Sequence, residues 1–357
     1  MVRSVAADQC ADDERYEHAP KSGCDCAGAA HRGRADAHRG GGAMSRMKGV
    51  ALITAMLIAA LAGSLAAGLS WDNALDVRRT MVMLYRDQAI QVAVGSEGWV
   101  RSILREDAAQ SETDHLEEVW ATDIPALPID SEAVQGQIWG KIEDLQGRFN
   151  VNNLIDGTGE VNEPFFEQYE RLLAALGLDP ALAGATVDWL DPDQEETIPD
   201  GAEDPIYTGY TPAYRTADRP LVNITELASV NGMDRISFET LLPHVIALPG
   251  LGGEPTAVNV NTATLEVLQS LGPNIDASTA EGLLQAREGG GFADVSGTFA
   301  PLVAQDLAQQ GFGETSEYFQ LKAVVQIDTV RISLFTVIHR NAASGEVATI
   351  LRSLGTI

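Results

Sequence analysis

The richest cluster of side chains that could do chemistry is an acidic stretch from Asp188 to Asp204, which reads D-W-L-D-P-D-Q-E-E-T-I-P-D-G-A-E-D. Calcium is bound by roughly six to eight oxygen ligands, mostly carboxylates and carbonyls on a flexible loop. Asp191, Asp193 and Glu195 alternate along the chain as the first three ligands of an EF-hand loop do. The stretch therefore predicts a calcium site.

The sequence does not match the later positions of an EF-hand loop. Glu196 stands where glycine is required, and Ala202 stands where the closing glutamate is required. A carboxylate directly after Ala202 could close the site instead, because a turn at Gly201 would bring the chain back. From the residues alone, the stretch is either a solvated acidic loop or a calcium site whose ligands are Asp191, Asp193, Glu195, Glu203 and Asp204.

The composition limits the functions open to the chain. It has 24 Lys+Arg against 51 Asp+Glu in 357 residues, and a formal net charge of −27. Such a charge repels nucleic-acid phosphate unless basic residues cluster, and they do not cluster beyond the first 49 residues. The sequence contains no G-x-S-x-G, P-loop or H-E-x-x-H motif. We therefore expect a protein that is not an enzyme.

Two related segments, Val222 to Asp234 and Val258 to Asp276, look like diverged repeats. Each has Asn and Thr before an apolar helix, which is an N-cap signal, and then a glycine-containing hairpin and a second helix. The second segment resembles the helix-hairpin-helix of competence-type DNA-binding proteins. Against one basic residue, Arg287, residues 254–300 carry six acidic ones: Glu254, Glu266, Asp276, Glu281, Glu288 and Asp294. We therefore expect a packing scaffold or a protein-contact surface, and no nucleic-acid partner.

The elements that must position these groups begin with an apolar segment, Val50 to Trp71, which carries no charge. As a helix its 22 residues span about 33 Å, enough for a bilayer core of about 30 Å. Arg46 and Lys48 precede the segment and Asp72 follows it, so the positive-inside rule places the N-terminus in the cytoplasm. A cleaved signal peptide is the competing interpretation, but a helical pattern continues beyond the segment without a cleavage loop.

The start of this segment, M-S-R-M-K-G-V-A-L-I-T-A-M-L, resembles a type IV prepilin leader. The resemblance implies cleavage after Gly49 by prepilin peptidase and N-methylation of Val50. From Met44 the leader would have six residues, typical of the class, so residues 1–43 would be disordered or would precede the true start. Thr54 stands at the fifth mature position, where pilins generally carry a glutamate. The resemblance implies that Thr54 affects assembly, because a subunit without that acid could lie where no further subunit is above it.

A second string, D-L-Q-G-R-F-N-V-N-N-L from Asp144 to Leu154, resembles the signature of K-type minor pseudopilins of type II secretion systems. That resemblance implies an α+β fold, in which a pilin-like long N-terminal helix packs on an antiparallel sheet with a large inserted, mainly α-helical domain. It also implies structural calcium in the insert. The expected role is at the pseudopilus tip in the inner membrane, supporting export of folded proteins from the periplasm across the outer membrane. The expected partners are the I- and J-type minor pseudopilins, the major pseudopilin and prepilin peptidase.

Two alternatives remain, a minor type IV pilin and a membrane-tethered helix-hairpin-helix receptor for DNA uptake. The predicted layout is a leader (44–49), a transmembrane helix (50–71), its periplasmic continuation (72–110), a pilin-like β part (111–160 and 315–357) and an inserted helical domain (161–314). Within it we expect a loop containing Pro125 and Pro128, two short strands joined around Gln146-Gly147 and a helix from Phe165 to Leu176 that ends at Gly177. The C-terminal strands are expected at residues 319–324, 330–339 and 347–351.

Overall fold

The computed structural model describes residues 47–131, 134–250, 254–292, 294–303, 307 and 311–355. The predicted N-terminal segment 1–43, and the leader before Met47, lie outside these residues. The chain divides into two units, residues 1–70 and 71–357.

The described helices of four or more residues are α1 (Met47–Gln110), α2 (Glu163–Ala175), α3 (Leu182–Leu190), α4 (Asp204–Tyr207), α5 (Arg235–Leu241), α6 (Leu265–Ser270), α7 (Ala277–Ala286) and α8 (Val295–Phe299). The strands are β1 (Ile124–Ser131), β2 (Val134–Asp144), β3 (Phe149–Asn150), β4 (Val245–Ile246), β5 (Val258–Asn259), β6 (Phe312–Gly313), β7 (Tyr318–Ile327), β8 (Val330–Arg340) and β9 (Val347–Leu354). Short 3-10 turns cover Val119–Ala121, Val151–Leu154, Ile224–Ser229 and Leu242–His244.

The predicted long N-terminal helix is confirmed, because α1 runs for 64 residues. In the first unit its described residues, from Gly49 onward, are exposed, including Leu57 and Leu65 at 65 % and 61 %. By length and composition the helix could cross a membrane. An apolar helix with no buried face is expected where lipid or other helices replace the core.

In the second unit the rest of α1 packs on a five-stranded antiparallel sheet with the order β1-β2-β7-β8-β9. Ala93, Val100 and Leu104 on α1 are fully buried against alternate strand residues such as Leu321 and Ile338. Residues at helical spacing therefore pack against residues at strand spacing in one buried interface between α1 and the sheet. The three predicted C-terminal strands are confirmed as β7, β8 and β9.

The prediction of a loop at Pro125 and Pro128 is wrong, because both prolines lie in strand β1. Proline removes a ladder donor, so it is tolerated on an edge strand, and β1 is at the edge of the sheet. The two strands expected around Gln146-Gly147 also differ from the prediction. The first is the eleven-residue β2 of the main sheet, whereas Phe149–Asn150 pairs in parallel with β4 in a separate small sheet.

The helical part has its own hydrophobic core, which the side chains of α2, α3, α6 and α7 share. Phe149 already belongs to this core and stacks on Tyr169 of α2, with ring centroids 5.4 Å apart. Helix α2 ends as predicted, because Gly177 adopts a φ of +68° and bonds back to Ala174. A mainly helical insertion between the strands of an α+β domain is therefore confirmed.

Asparagine side chains of β3 and the turn after it bond to distant backbone groups of the helical part. Asn150 Nδ2 donates to the carbonyl oxygen of Leu248, and Asn152 Nδ2 donates to that of Leu221. Asn153 Nδ2 donates to the carbonyl oxygen of Thr256. Amides that bond residues about 70 to 100 positions away do more than close a local turn. They give the D-L-Q-G-R-F-N-V-N-N-L string its structural role as a clamp.

Candidate functional site

Three acidic side chains meet at the carboxyl end of α3. Asp188 lies in the last turn of α3, Asp191 caps that helix, and Glu203 directly precedes α4. One carboxylate oxygen of each lies within 4.8 Å of the others. Their exposed fractions are 0 %, 4 % and 1 %, so three acids are buried together.

Among the described residues, no lysine or arginine side chain pairs with any of the three carboxylates. In the part of the chain that the structure describes, both oxygens of Glu203 and Oδ1 of Asp191 are buried without a hydrogen-bond partner. The neighbouring Trp189 Nε1 is also buried without a partner. Unpartnered buried carboxylate oxygens are costly, so these three side chains are suited to hold a cation.

The electrostatics of the site agree with that conclusion. Burial, followed by repulsion from Asp193 and Asp188, raises the pKa of Asp191 to about 7. Burial, followed by repulsion from Asp188 and Asp191, raises the pKa of Glu203 to about 8. The charged forms are disfavoured because like charges are held close together away from water. A divalent cation would reverse this balance by supplying the missing positive charge.

The loop between α3 and α4 folds back onto the cluster through a close backbone contact. The amide of Thr197 donates to both oxygens of Asp188, at 3.0 and 3.2 Å. The amide of Gly201 donates to the carbonyl oxygen of Thr197 at 2.6 Å. A Cβ atom on residue 201 would collide with the Asp188 carboxylate and the Thr197 backbone. Glycine at this position therefore brings Glu203 beside the end of α3.

The structure gathers two of the five predicted ligands, Asp191 and Glu203, and separates the others. Asp193 and Glu195 are exposed, and Asp193 Oδ1 accepts a hydrogen bond from the Glu195 amide. Asp204 points elsewhere, and its carboxylate accepts hydrogen bonds from Arg215 Nη1 and from Thr216. The set the structure gathers is therefore smaller than the set that EF-hand spacing suggests.

Asp188 is the ligand candidate that the spacing argument did not select. It opens the acidic stretch and precedes Asp191 by three residues, a separation that places two side chains on one face of a helix. Recognising that α3 continues through Leu190 would have identified the pair. Three carboxylates suit a hard cation such as calcium, with backbone carbonyls or water completing the shell.

The two helix-hairpin-helix-like segments fold as predicted at their N-caps. Asn223 and Glu226 form a capping box at the first segment, and Thr264 caps α6 in the second. The second hairpin is covered, because a Cβ on Gly272 would collide with the Leu302 backbone. Arg287, the one basic residue of 254–300, donates to the carbonyl oxygens of Val260 and Ala263. Neither feature suits binding of nucleic-acid phosphate.

The residues predicted for processing and assembly lie in the first turns of α1. Val50 is 63 % exposed, and nothing lies within 4 Å of a Cβ built on Gly49. Thr54 Oγ1 donates to the carbonyl oxygen of Ala51 at 3.0 Å, so its hydroxyl is satisfied within the helix. Their roles stay predictions.

A long apolar N-terminal helix that continues onto an antiparallel sheet, with a helical insertion carrying an acidic centre, defines a pilin-type subunit. Two family models match, both described as "Type II secretion system (T2SS), protein K", at residues 147–250 and 258–322. The chain belongs to this protein K family, and it is a minor pseudopilin of type II secretion.

Relatives and a solved structure match over most of the chain. The type II secretion system protein K of Pseudomonas aeruginosa is 32 % identical over 320 residues, which cover 86 % of this chain and 92 % of that protein. The Klebsiella pneumoniae protein of the same name is 33 % identical and covers 70 % of this chain and 78 % of its own length. The fold matches a chain of the GspK-GspI-GspJ complex from enterotoxigenic Escherichia coli with a TM-score of 0.67 and 24 % identity. That match covers 78 % of this chain and 100 % of the solved chain.

Proposed function

We propose that this minor pseudopilin caps the type II secretion pseudopilus together with I- and J-type minor pseudopilins, and that it supports export of folded proteins across the outer membrane without catalysing a reaction. The observation that carries the proposal is the combination of an unpartnered apolar helix with a bulky insertion. The exposed residues of α1 from Val50 to Trp71 can join a helix bundle, whereas the insertion would obstruct a subunit stacked above. The solved structure with the same fold is named as a complex of these three subunits.

The proposal includes a membrane topology and a processing step. The protein would cross the inner membrane once through residues 50–71, with its N-terminus in the cytoplasm and its C-terminal part in the periplasm. Prepilin peptidase would cut after Gly49, and Val50 would become the methylated N-terminus. Thr54 offers no carboxylate for the terminal amine of a neighbour, which suits a subunit that begins or caps the assembly of the major pseudopilin.

Calcium at Asp188, Asp191 and Glu203 is the second part of the proposal. Three buried carboxylates with unpartnered oxygens match the charge and the ligand type that this hard cation prefers. A bound ion would supply positive charge and hold the loop between α3 and α4 against the helix end. Its role would be structural.

Co-purification tests the assignment to the tip. The full-length protein in detergent is mixed with full-length I- and J-type minor pseudopilins from the same cell, in calcium chloride or in EGTA. We expect a stable ternary complex in calcium. Absence of any complex in calcium, with all three proteins folded, would overturn the tip assignment.

A matched variant separates assembly from folding. Thr54→Glu restores the carboxylate that other pilins carry, and the residue lies on the exposed N-terminal part of α1. If the missing acid reserves this chain for the tip, the variant should appear along the filament among copies of the major pseudopilin. Thr54→Ser keeps the hydroxyl and serves as the control. Identical behaviour of the two variants in pulldowns of the major pseudopilin would count against this role.

A gel shift at low salt tests the alternative of a DNA receptor. Residues 254–300 carry a single basic side chain, so we expect no shift of a duplex oligonucleotide even where electrostatic binding is strongest. A shift that disappears with added salt would revive that alternative.

A further inference from the structure

The chain segment that follows the acidic cluster also carries a group of aromatic rings. Tyr207, Tyr210 and Tyr214, which we call the tyrosine cap, come shortly after Glu203 in sequence. The ring centroids of Tyr207 and Tyr214 lie 5.3 Å apart, and those of Tyr210 and Tyr214 lie 5.8 Å apart. Trp189 of α3 meets Tyr207 edge to face at 5.3 Å. The same segment therefore contributes a carboxylate to the cluster and rings to the cap.

The three hydroxyls of the tyrosine cap bond to the hairpin of the first helix-hairpin-helix segment. Tyr207 Oη accepts a hydrogen bond from the Asn231 amide at 3.0 Å, and Tyr210 Oη donates to Asn231 Oδ1. Tyr214 Oη donates to the carbonyl oxygen of Ser229 at 3.0 Å. Tyr210 and Tyr214 are 41 % and 37 % exposed, so their two bonds lie at the surface, whereas Tyr207 is fully buried. Bonds in such a position last only while the segment that carries the rings stays in place.

We propose that a cation held by Asp188, Asp191 and Glu203 keeps the tyrosine cap on this hairpin, so that occupancy of the metal site controls how ordered the hairpin surface is. The inference rests on the metal site proposed above. A bound cation cancels the repulsion among three buried carboxylates. Without the cation, both oxygens of Glu203 are buried without a partner, and the chain lowers its free energy by moving them toward water, because an unpartnered buried polar group is costly. Tyr207 follows Glu203 by four residues and moves with it.

The coupling must act in both directions. If the cation favours the closed cap, then a cap that bonds the hairpin must favour binding of the cation by the same factor. Removing the hydroxyls of Tyr210 and Tyr214 should therefore weaken calcium binding, although neither residue belongs to the carboxylate cluster. One neutral hydrogen bond corresponds to about a fivefold change in an equilibrium constant.

Hydrogen exchange of the full-length protein in detergent tests the inference. Amides of residues 229–234 should exchange about tenfold more slowly in calcium chloride than in EGTA. Amides of residues 271–276 in the second hairpin, which the tyrosine cap does not bond, form an internal reference and should not respond. Asp191→Asn should remove the calcium response at the first hairpin, whereas Asp193→Asn, an exposed acid of the same stretch, should keep it.

Calorimetric titration with calcium chloride provides the second readout. Tyr210→Phe/Tyr214→Phe should bind calcium several-fold more weakly than the unmodified protein, and Tyr85→Phe on α1 should bind it unchanged. If calcium binds but exchange at residues 229–234 does not change, the coupling is overturned and the metal site stands. If no calcium binds, the metal site and the coupling are both overturned, while the ternary complex still tests the tip assignment separately.

Discussion

Two groups of three carboxylates in this protein differ in whether a basic side chain lies among them. Asp107, Asp114 and Glu118 gather where α1 meets the sheet, and Asp188, Asp191 and Glu203 gather in the helical insertion. In the first group Arg340 lies among the acids, pairing with Asp107 at 3.1 Å and also with Asp114. In the second group no lysine or arginine within the described ranges pairs with an acid. Within the described residues, the first acidic group therefore contains its own cation, whereas the proposed calcium would supply positive charge to the second.

The two groups lie in different parts of the fold. Arg340 also lies over the ring of Phe319 at 4.8 Å and donates to the carbonyl oxygen of Ser316, so it joins α1, β7 and β8. Because Arg340 is part of the chain, that junction needs no dissolved cation. In contrast, the proposed calcium site would make the insertion respond to the concentration of dissolved calcium. Four predictions test this contrast, beginning with the largest expected effect.

Removing the built-in cation should be the most damaging change. Arg340→Met leaves the half-buried Asp107 and the buried Asp114 without a positive charge, and breaking one side of a buried ion pair costs about 3–5 kcal/mol. Urea unfolding of the full-length protein in detergent measures the loss. Arg235→Met, at an exposed helix pair, is the control and should stay within about 0.5 kcal/mol. Equal losses in the two variants would show that Arg340 is not the cation on which the first group depends.

Removing the external cation should have the next largest effect. At about 100 times its Kd, calcium stabilises by about 2.7 kcal/mol, so EGTA should lower the Tm by about 5–10 °C. Asp191→Asn/Glu203→Gln should abolish this shift and should be more stable than the unmodified protein in EGTA, because the repulsion is gone. Asp193→Asn should keep the shift. Loss of the calcium response in Arg340→Met, under conditions where that variant is folded, would break the proposed separation of the two groups.

The first group should show a pH effect of its own that does not depend on calcium. Burial, then repulsion from Glu118 and Asp114, raises the pKa of Asp107 from 3.8 to about 6. Because the folded state holds this proton more tightly than the unfolded state, the stabilisation is complete below about pH 4 and is lost as the pH rises to about 6. The loss amounts to at most about 3 kcal/mol.

The measurement compares Asp107→Asn with the unmodified protein by urea unfolding at several pH values. The difference in unfolding free energy between the two proteins should change between about pH 4 and pH 6 and stay constant above that range. A difference independent of pH would mean that Asp107 titrates normally in the folded protein.

The smallest effect should come from Asp204, a predicted calcium ligand that forms an ion pair with Arg215 in the structure. Asp204→Asn loses an ion pair with the exposed Arg215, worth about 1 kcal/mol or less. Its calcium affinity in calorimetry should match that of the unmodified protein, because Asp204 lies outside the carboxylate cluster. If Asp204→Asn bound calcium tenfold more weakly than the unmodified protein, Asp204 would be a calcium ligand after all.

Much of the fold follows from local patterns. The uncharged run after Gly49 predicts a long helix, alternation predicts β7 to β9, and Gly177 marks the end of α2 because its φ is positive. Strand β1 was not predicted, because proline is unfavourable in a strand unless that strand lies at the edge of the sheet. The edge position is a property of the whole sheet and is not written in the segment itself.

The candidate site divides in the same way. The sequence by itself determined that this stretch is acidic enough to hold a hard cation, because composition and charge are local properties. Only the tertiary structure decided that Asp188 joins Asp191 and Glu203, while Asp204 turns to Arg215. The reason is that a cation is bound by oxygens that are close in space, and here the distances depend on a loop held against the end of a helix by Thr197 and Gly201. The spacing of these residues along the chain does not show that their carboxylate oxygens lie close together in the fold.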